Sequence, residues 1–289
     1  MILTHTAARQ GKLLTFLRRE LELSSSLVKR LKWQSGFLVN GQPAHTDHPV
    51  NPGDVITVDL AEPLPEFPAE HGPLEILYED DCLLAVDKPA GLLMHPTFYR
   101  TTGTLANRLL GYYAKTGQAC AVHPVSRLDR DTFGVTLFAK NAHIHEKMVQ
   151  AHKAGKIQKT YEALVVGVPQ PSSGIWEWPI ARCGGDSLLR QVAADGQFAR
   201  TEYTLRKTNG KWSLLELKPI TGRTHQLRVH CAYAGHPIAA DPQYGGEAAQ
   251  CPGLSHQQLC AVRLEFVHPV SGQPVVLASR QRCPDPADL

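Results

Sequence analysis

The sequence predicts an α+β protein, in which a small N-terminal α/β module precedes a larger domain with a mixed, largely antiparallel sheet. Three observations support this prediction. Residues 61–72, AEPLPEFPAEHG, contain three prolines and separate two regions with regular apolar patterns. After this segment, long strand-like runs with helical runs between them are typical of an α+β fold rather than a doubly wound one. Apolar residues make up 43% of the 289 residues, which is sufficient for a packed core.

The expected organisation has three parts. Residues 1–60 form the module, residues 61–72 form a linker, and residues 73–289 form the second domain. The linker is expected to be stiff, because proline restricts the backbone. No internal repeat and no low-complexity tract interrupts either part.

The module shows the signals of two short helices followed by strands. Leucine and phenylalanine side chains recur at helical spacing over residues 13–21. Ser24–Ser26 can cap a second helix over 27–32, because a serine hydroxyl accepts hydrogen bonds from first-turn amides. Asn40–Gly41 predicts a hairpin, since both residue types tolerate positive φ. An alternating strand follows over 55–58.

The second domain is expected to contain strands with helices between them. It begins with a strand, a turn and a strand in ILYEDDCLLAVDKPAG, residues 76–91. Further strands are expected over 135–139, 161–166, 198–206, 212–217 and 262–266. Helices are expected over 104–113, 142–154 and 224–233.

Composition disfavours secreted and membrane proteins. The seven cysteines are scattered and form no C-x-x-C pair, which disfavours a disulfide framework or a zinc ribbon and suits a reducing cytoplasm. The N-terminal residues lack the apolar region of a secretory signal, and no apolar run reaches the ~18 to 20 residues of a membrane span. We expect a cytoplasmic protein without membrane contact, and a monomer.

Cofactor and metal signatures are also lacking in the sequence. It contains no G-x-G-x-x-G fingerprint and no P-loop, so no nucleotide cofactor is expected. The fourteen histidines include no H-E-x-x-H pattern, and His143 and His145 form an isolated pair. No metal site is expected.

Positive charge is concentrated in the helical part of the module. The net charge of the chain is +3, which permits an RNA or phosphate partner without indicating one. The second predicted helix, however, carries Lys29, Arg30 and Lys32. Clustered cations neutralise phosphates and release counterions, which favours an RNA-binding face. A solvated helix face explains the same charges equally well.

The segment HPVSRLDRDTFGVTLFAK, residues 123–140, places Asp129 between Arg127 and Arg130, shortly before an apolar strand-like run. A solvated loop explains the charges alone. A catalytic carboxylate, held ionised by cations at the edge of a sheet, explains both the charges and the apolar context. The segment by itself leaves both interpretations open.

Four clusters of polar residues occur in order along the chain, and each is a weak signal by itself. They read LAVDKPAGLLMHP (84–96), SRLDRDTFG (126–134), KTYEA (159–163) and TGRTHQLRVH (221–230). Together they resemble the RluA family of RNA pseudouridine synthases over residues 73–268, and the last cluster is the most specific. Residues 12–60, with V-N-G and P-G-D-x-I-x-V, resemble a small RNA-binding module first known from a small-subunit ribosomal protein.

The resemblance implies roles in the isomerisation of uridine to pseudouridine, a reaction that needs no cofactor. Asp129 corresponds to the catalytic carboxylate, and Arg228 to the cation that keeps it charged and aimed. Tyr161 corresponds to the tyrosine that stacks on the target base. Arg127 corresponds to an arginine that fills the space left by a flipped nucleotide, and Leu227 to a side chain that packs on the base or the tyrosine.

The sequence also contains departures from the family pattern. Ser126 stands where histidine is usual, and Phe133 stands where serine is usual. Both residues flank Asp129, so they concern loop geometry and RNA choice rather than the reacting group. Within the last cluster, we assign Arg223 and His225 to the scaffold.

Three functions are compatible with these features. The first is an active pseudouridine synthase on large-subunit ribosomal RNA, with transfer RNA as the nearest alternative substrate. The second is an RNA-binding or ribosome-assembly protein with weak or lost catalysis, suggested by the two departures. The third is a carboxylate-dependent glycoside hydrolase with Asp131 as its second acid. The presence of Asp129, Tyr161 and Arg228 favours the first function.

Overall fold

The computed structural model describes residues 1–185 and 187–289. The N-terminal part contains two helices and six short strands. In chain order these are β1 (Ile2–Thr6), β2 (Gly11–Lys12), α1 (Leu13–Arg19), α2 (Ser25–Trp33), β3 (Phe37–Val39), β4 (Gln42–Pro43), β5 (Pro49–Val50) and β6 (Val55–Asp59). A four-stranded antiparallel sheet has the order β1-β6-β3-β4, and β2 pairs with β5.

Local signals explain the helix start and the hairpin of this part. The Ser24 hydroxyl accepts a hydrogen bond from the Leu27 amide at 3.2 Å, which confirms the predicted N-cap of α2. Asn40 and Gly41 both have positive φ, 50° and 78°, and connect β3 to β4 as predicted. Buried apolar side chains between Ala7 and Leu60 form a cluster of their own.

The rest of the chain contains three helices and twelve strands in the described residues. In chain order these are β7 (Ile76–Glu79), β8 (Leu83–Lys88), α3 (Leu105–Lys115), β9 (His123–Pro124), β10 (Phe133–Ala139), α4 (Ala142–Lys153), β11 (Gln158–Val166), β12 (Ser173–Glu177), β13 (Ile180–Arg182), β14 (Arg190–Val192), β15 (Arg200–Thr208), β16 (Trp212–Pro219), α5 (Gln226–Tyr233), β17 (Leu259–Val267) and β18 (Pro274–Ala278). Short 3-10 helices cover Glu247–Ala249 and Pro286–Asp288.

A ten-stranded sheet organises this part. Its main path is β12-β15-β16-β11-β17-β10-β8-β7, with β18 added to β17 and β9 to β10. Among the described strands of this sheet, every pair is antiparallel apart from β10 with β17. The α+β prediction is therefore confirmed. No helix in the described residues has the length and apolar character needed to cross a bilayer.

The strand register aligns residues from distant segments of the chain in one row across the sheet. Gly134 of β10 pairs with Lys88 of β8 on one side and with Ala261 of β17 on the other. Ala261 also pairs with Tyr161 of β11, which pairs in turn with Leu217 of β16. Directly opposed residues lie about 5 Å apart in a sheet, so the first three sequence clusters meet along this row.

The segment between the two parts is hydrogen-bonded to α3. The Asn107 side chain of α3 donates to the Pro68 carbonyl at 2.8 Å, and the Glu70 amide donates to the Asn107 carbonyl at 2.9 Å. Gly111 of α3 lies so close to Glu70 that a Cβ there would be 2.0 Å from its carbonyl oxygen. Residues 68–72 therefore lie along α3, and residues 61–72 form no helix or strand of their own.

Some predicted boundaries shift in the structure. The helix expected over 224–233 begins at Gln226, because His225 has a left-handed backbone with φ 57°. The strand expected over 198–206 is Arg200–Thr208. Strand β1 was not predicted, since none of its residues is fully buried and its apolar alternation is weak.

Candidate active site

Asp129 lies on the loop that leads into β10, and 31% of its side chain is exposed. The buried Lys88 holds this loop, because its ammonium group donates to the Arg130 carbonyl at 2.8 Å. The same group donates to the carbonyls of Pro89 at 2.9 Å and Leu92 at 2.8 Å. The three N–H groups of the Lys88 ammonium thus have three carbonyl acceptors, and its Nζ atom connects the first two sequence clusters.

The charge on Lys88 is set by opposing influences. Burial lowers the pKa of its ammonium and the nearby carboxylates of Asp131 and Asp129 act to raise it, with a net value of about 7. The three carbonyl acceptors favour the protonated form as well. The hydrogen-bonded geometry therefore corresponds to the ammonium ion.

Arg228 of α5 contacts Asp129 directly. Its Nη1 donates to Asp129 Oδ2 at 3.2 Å. Its Nε and Nη2 donate to the two carboxylate oxygens of Asp241 at 2.7 and 2.8 Å, and Nη2 also donates to Gln243 Oε1 at 2.7 Å. Burial lowers the pKa of Arg228, but its bonds to Asp241 and Asp129 outweigh this effect and raise it. A fixed positive charge therefore faces Asp129.

The buried Asp241 holds the Arg228 guanidinium in this position. Its side chain is wholly inaccessible to solvent, and Oδ1 also accepts from the amides of Gln243 at 2.9 Å and Tyr244 at 3.1 Å. Burial raises the pKa of Asp241, but the hydrogen bond and charge of Arg228 lower it by more, so the net shift is downward. Sequence reasoning missed Asp241 as a site residue, because only its place after the last cluster hinted at such a contact.

The arginines next to Asp129 in sequence have other positions. Arg130 binds Asp131 through Nε at 3.0 Å and Nη2 at 2.8 Å. Arg127 is exposed. The interpretation that neighbouring cations hold Asp129 is therefore wrong for Arg130, and the cation comes from Arg228 on another element. Asp131 is occupied by Arg130, which makes it a poor second acid for glycoside hydrolysis.

Tyr161 and Leu227 belong to the apolar side of the site. Both are buried members of the main core cluster, which also contains Leu128. A β-bulge lies between Thr160 and Tyr161 where β11 pairs with β17, and bulges of this kind re-aim side chains next to active sites. Burial raises the pKa of the Tyr161 phenol, and the charge of Asp129 raises it further. The phenol is therefore neutral at pH 7.

The predicted RNA-binding residues of α2 divide into two groups. Lys29 and Lys32 are exposed. Arg30 instead donates to Glu62 Oε2 at 2.9 Å. Glu62 Oε1 lies 2.6 Å from His123 Nε2 and accepts from the Ala142 amide at 3.1 Å. Arg30 thus attaches α2 to the segment that follows the module.

Asp80, Cys82 and His268 lie close enough to share a metal ion. The hydrogen bonds of the imidazole argue against this use. His268 Nδ1 accepts from the amides of Val270 at 3.3 Å and Ser271 at 3.0 Å, so the neutral ring carries its proton on Nε2. That nitrogen lies 2.9 Å from Asp80 Oδ2. With Nδ1 accepting two amide protons and Nε2 carrying the ring proton, neither nitrogen of His268 offers a free lone pair to a metal ion.

The chain is similar to known proteins over most of its length. A family described as RNA pseudouridylate synthase matches residues 82–233. The chain is 39% identical to an uncharacterized RNA pseudouridine synthase of Chloroflexus aurantiacus, over 93% of this chain and 84% of the relative. It is 37% identical to ribosomal large subunit pseudouridine synthase D of Xanthomonas campestris, over 93% and 83%. Human RNA pseudouridylate synthase domain containing 1 superposes with a TM-score of 0.60 and 26% identity, over 76% and 86%.

The fold and the comparisons together define an isomerase that modifies RNA. The chain belongs to the RNA pseudouridylate synthase family, and it is an RNA pseudouridine synthase. Its substrate is therefore RNA.

Proposed function

We propose that the protein converts uridine to pseudouridine in large-subunit ribosomal RNA, as a member of the RluA branch, with Asp129 as its catalytic carboxylate. The observation that carries the proposal is the contact between Asp129 and the buried Arg228, whose other donors are held by Asp241. Relatives from Xanthomonas campestris and Vibrio cholerae, 37% and 33% identical, are named ribosomal large subunit pseudouridine synthase D. Transfer RNA is the alternative substrate.

The reaction rearranges one nucleotide without adding or losing atoms. The N1–C1′ bond breaks, the base turns, a C5–C1′ bond forms, and the proton on C5 leaves while N1 gains one. Asp129 acts at the sugar or at the base during these steps. The guanidinium of Arg228, 3.2 Å away, pairs with the negative charge that this role requires.

Tyr161 and Leu227 offer the base an apolar surface. A uridine that is flipped out of a helix loses a few kcal/mol of stacking, and contact with an aromatic ring restores part of it. Tyr161 is proposed to stack on the uracil ring, with Leu227 packed beside it. The exposed Arg127 is proposed to enter the gap that the flipped nucleotide leaves.

Residues 1–60 are proposed to be an RNA-binding module of the type found in a ribosomal protein, followed by the linker 61–72 and the catalytic domain 73–289. The separate apolar cluster between Ala7 and Leu60 supports the division. Phosphate contacts are proposed for Lys29 and Lys32, which are exposed on α2. Arg30 contributes positive potential while it holds Glu62.

A ribosome-assembly protein with lost catalysis is the second candidate, because Phe133 and Ser126 replace the usual residues around Asp129. The contacts of Arg228 favour the active enzyme instead. A site without selection for catalysis has no need to keep an accessible carboxylate beside a buried guanidinium, which is difficult to desolvate.

The decisive experiment is a pseudouridine map of total RNA from a strain that lacks this protein, made by carbodiimide chemistry and sequencing. Complementation uses the wild type and Asp129→Asn. We expect one or more large-subunit ribosomal sites to disappear and to return only with the wild type. Loss of a transfer RNA site would change the substrate, and an unchanged map would favour the assembly protein.

Purified variants separate catalysis from binding. Asp129→Asn should abolish product and leave RNA affinity nearly unchanged. Asp131→Asn is the matched control, because Asp131 lies two residues away and is bound by Arg130. It should retain most of the activity. Turnover by Asp129→Asn would remove the catalytic assignment.

A further inference from the structure

His225 stands at the N-cap of α5, but it has a left-handed backbone and its side chain does not cap the helix. It is the residue before α5, with φ 57° and ψ 19°, in the left-handed region that glycine favours. For a side chain of this size such a conformation costs about 1 to 3 kcal/mol, and it persists where the surroundings impose it. In the described structure the imidazole makes no capping hydrogen bond to α5. It contacts Asp129 and Tyr244 instead.

The hydrogen bonds around Tyr244 assign the tautomer of His225. The Arg190 amide donates to the Tyr244 hydroxyl oxygen at 2.9 Å. His225 Nδ1 lies 2.8 Å from the same oxygen. Among the described residues, Nδ1 is the acceptor that lies within hydrogen-bond distance of the Tyr244 hydroxyl, so the hydroxyl donates its proton to Nδ1. A neutral imidazole then carries its proton on Nε2.

The ring is also kept neutral. Burial lowers the pKa of His225, and the cations Arg228 and Arg190 lower it further, against the raising effect of Asp129 and Asp241. A neutral imidazole with a proton on Nε2 donates one hydrogen bond from that nitrogen. It does not add a second positive charge beside the guanidinium of Arg228.

Nε2 of His225 lies 3.9 Å from Asp129 Oδ2, the same oxygen to which Arg228 Nη1 donates at 3.2 Å. A movement of about 1 Å brings the imidazole to hydrogen-bond distance. Hydrogen bonds of catalytic groups are often long in a free enzyme and shorten when substrate binds. In the described residues, both polar side-chain contacts to Asp129 end at Oδ2, so Oδ1 is available for the nucleotide.

We infer that His225 is a positioning residue for Asp129, and that it holds Oδ2 together with Arg228 so that Oδ1 is presented to the uridine. One donor alone permits the carboxylate to rotate about Cβ–Cγ, whereas two donors on one oxygen oppose that rotation. Tyr244 links the two donors, because its ring also lies 4.9 Å from the Arg228 guanidinium carbon. This inference rests on the proposed catalytic role of Asp129, and it replaces the assignment of His225 to the scaffold.

Two amide substitutions of His225 test its two ring nitrogens separately, because only one of them can still reach Asp129. In His225→Gln the amide nitrogen reaches about as far as Nε2 and can donate to Asp129. In His225→Asn the shorter amide tolerates the left-handed backbone and reaches Tyr244, but it cannot reach Asp129. Tyr244→Phe removes the hydroxyl that fixes the tautomer. His236→Gln is the control, because His236 follows the other end of α5 and contacts the Val166 carbonyl at 2.8 Å.

The experiment measures kcat, KM and the thermal midpoint of the full-length protein on an RNA that the wild type modifies. We expect His225→Asn to lower kcat about 10- to 100-fold at unchanged KM, since misplacement by about 1 Å has effects of this size. His225→Gln should recover to within about fivefold of the wild type, Tyr244→Phe should lose about threefold to tenfold in kcat, and His236→Gln should keep wild-type kcat.

The outcomes distinguish this inference from the proposed function. Equal kcat in His225→Asn and the wild type would overturn it, and so would equal losses in the Asn and Gln variants with parallel falls in the thermal midpoint. In both cases Asp129→Asn would still be inactive, so the proposed function would stand. If Asp129→Asn turned over like the wild type, the catalytic assignment of Asp129 would fail and this inference would fail with it.

Discussion

Gly134 of β10 approaches Ala261 of β17 so closely that a Cβ on Gly134 would lie 2.4 Å from the Ala261 carbonyl oxygen. The backbone of Gly134 also has φ 106°, which side chains rarely adopt. This contact is part of the parallel pair that places the Asp129 loop beside the strand neighbouring Tyr161. The close approach explains why glycine is needed five residues after Asp129.

Gly134→Ala should therefore destabilise the fold strongly. We expect the free energy of unfolding to fall by about 3 kcal/mol or more, because both the conformation and the contact are disturbed. Gly210→Ala is the matched control, since Gly210 has φ 90° and open space around its Cβ direction. It should lose only about 1 kcal/mol. Urea unfolding measures both, and equal losses would mean that β10 can move away from β17.

Arg228→Lys should impair both activity and stability. A lysine ammonium keeps the charge but cannot reproduce the fork that holds Asp129 and Asp241. We expect kcat/KM to fall about 100-fold, with a loss on the order of 3 kcal/mol in unfolding free energy, because Asp241 stays buried with fewer donors. Turnover assays and thermal unfolding test this, with Arg263→Lys as the control on an exposed pair with Glu265. Wild-type turnover of Arg228→Lys would show that charge alone suffices.

His143 should make stability depend on pH between about 6.5 and about 4. Burial and the charge of Lys147 together lower its pKa from 6.5 to about 4. In that interval the unfolded imidazole binds a proton and the folded one does not, so stability falls as pH falls. The loss is on the order of 3 kcal/mol over the interval. His143→Leu should show a shallower fall in chemical unfolding at successive pH values.

The control for this comparison is His45→Leu at an exposed histidine. Its pH profile should parallel that of the wild type. A wild-type slope in His143→Leu would assign the pH dependence to other buried imidazoles.

Lys29 and Lys32 should contribute to the salt dependence of RNA binding. Replacing both with glutamine should reduce the slope of log K against log salt by about 1.5 to 2, since each phosphate contact contributes about 0.7 to 0.9. Lys153→Gln with Lys156→Gln is the matched control, because these two lysines are exposed at and just after the end of α4, outside the module. Titrations at several salt concentrations measure the slopes. Equal slopes in both double variants would mean that α2 is a solvated face.

The sequence predicted those structural features that depend on residues close together in the chain. The Ser24 cap, the Asn40–Gly41 hairpin and the α+β class all follow from local spacing or from the order of elements. The resemblance also indicated the pair of Asp129 and Arg228 before the structure placed them 3.2 Å apart. Their roles in catalysis remain predictions.

Contacts between distant segments were not predicted. The row that aligns Gly134 with Tyr161 through Ala261 depends on strand register, which no short pattern specifies. The left-handed backbone of His225 carries no sequence signal, because the side chain is neither glycine nor asparagine. Asp241 looked like an ordinary loop acid until its two oxygens were seen to hold Arg228.

The contacts of Glu62 have a consequence for substrate choice. One of its oxygens holds Arg30 on α2, and the other holds His123 and the Ala142 amide at the start of α4. Burial raises the pKa of Glu62, but the bonds from His123 and Arg30 prevail and lower it, so the bridge is ionised at neutral pH. If α2 binds RNA as proposed, this bridge holds the RNA-binding face at a set distance from the part of the chain that carries Asp129. We then expect the enzyme to select an RNA by the distance between its backbone contacts and its uridine, as well as by its sequence.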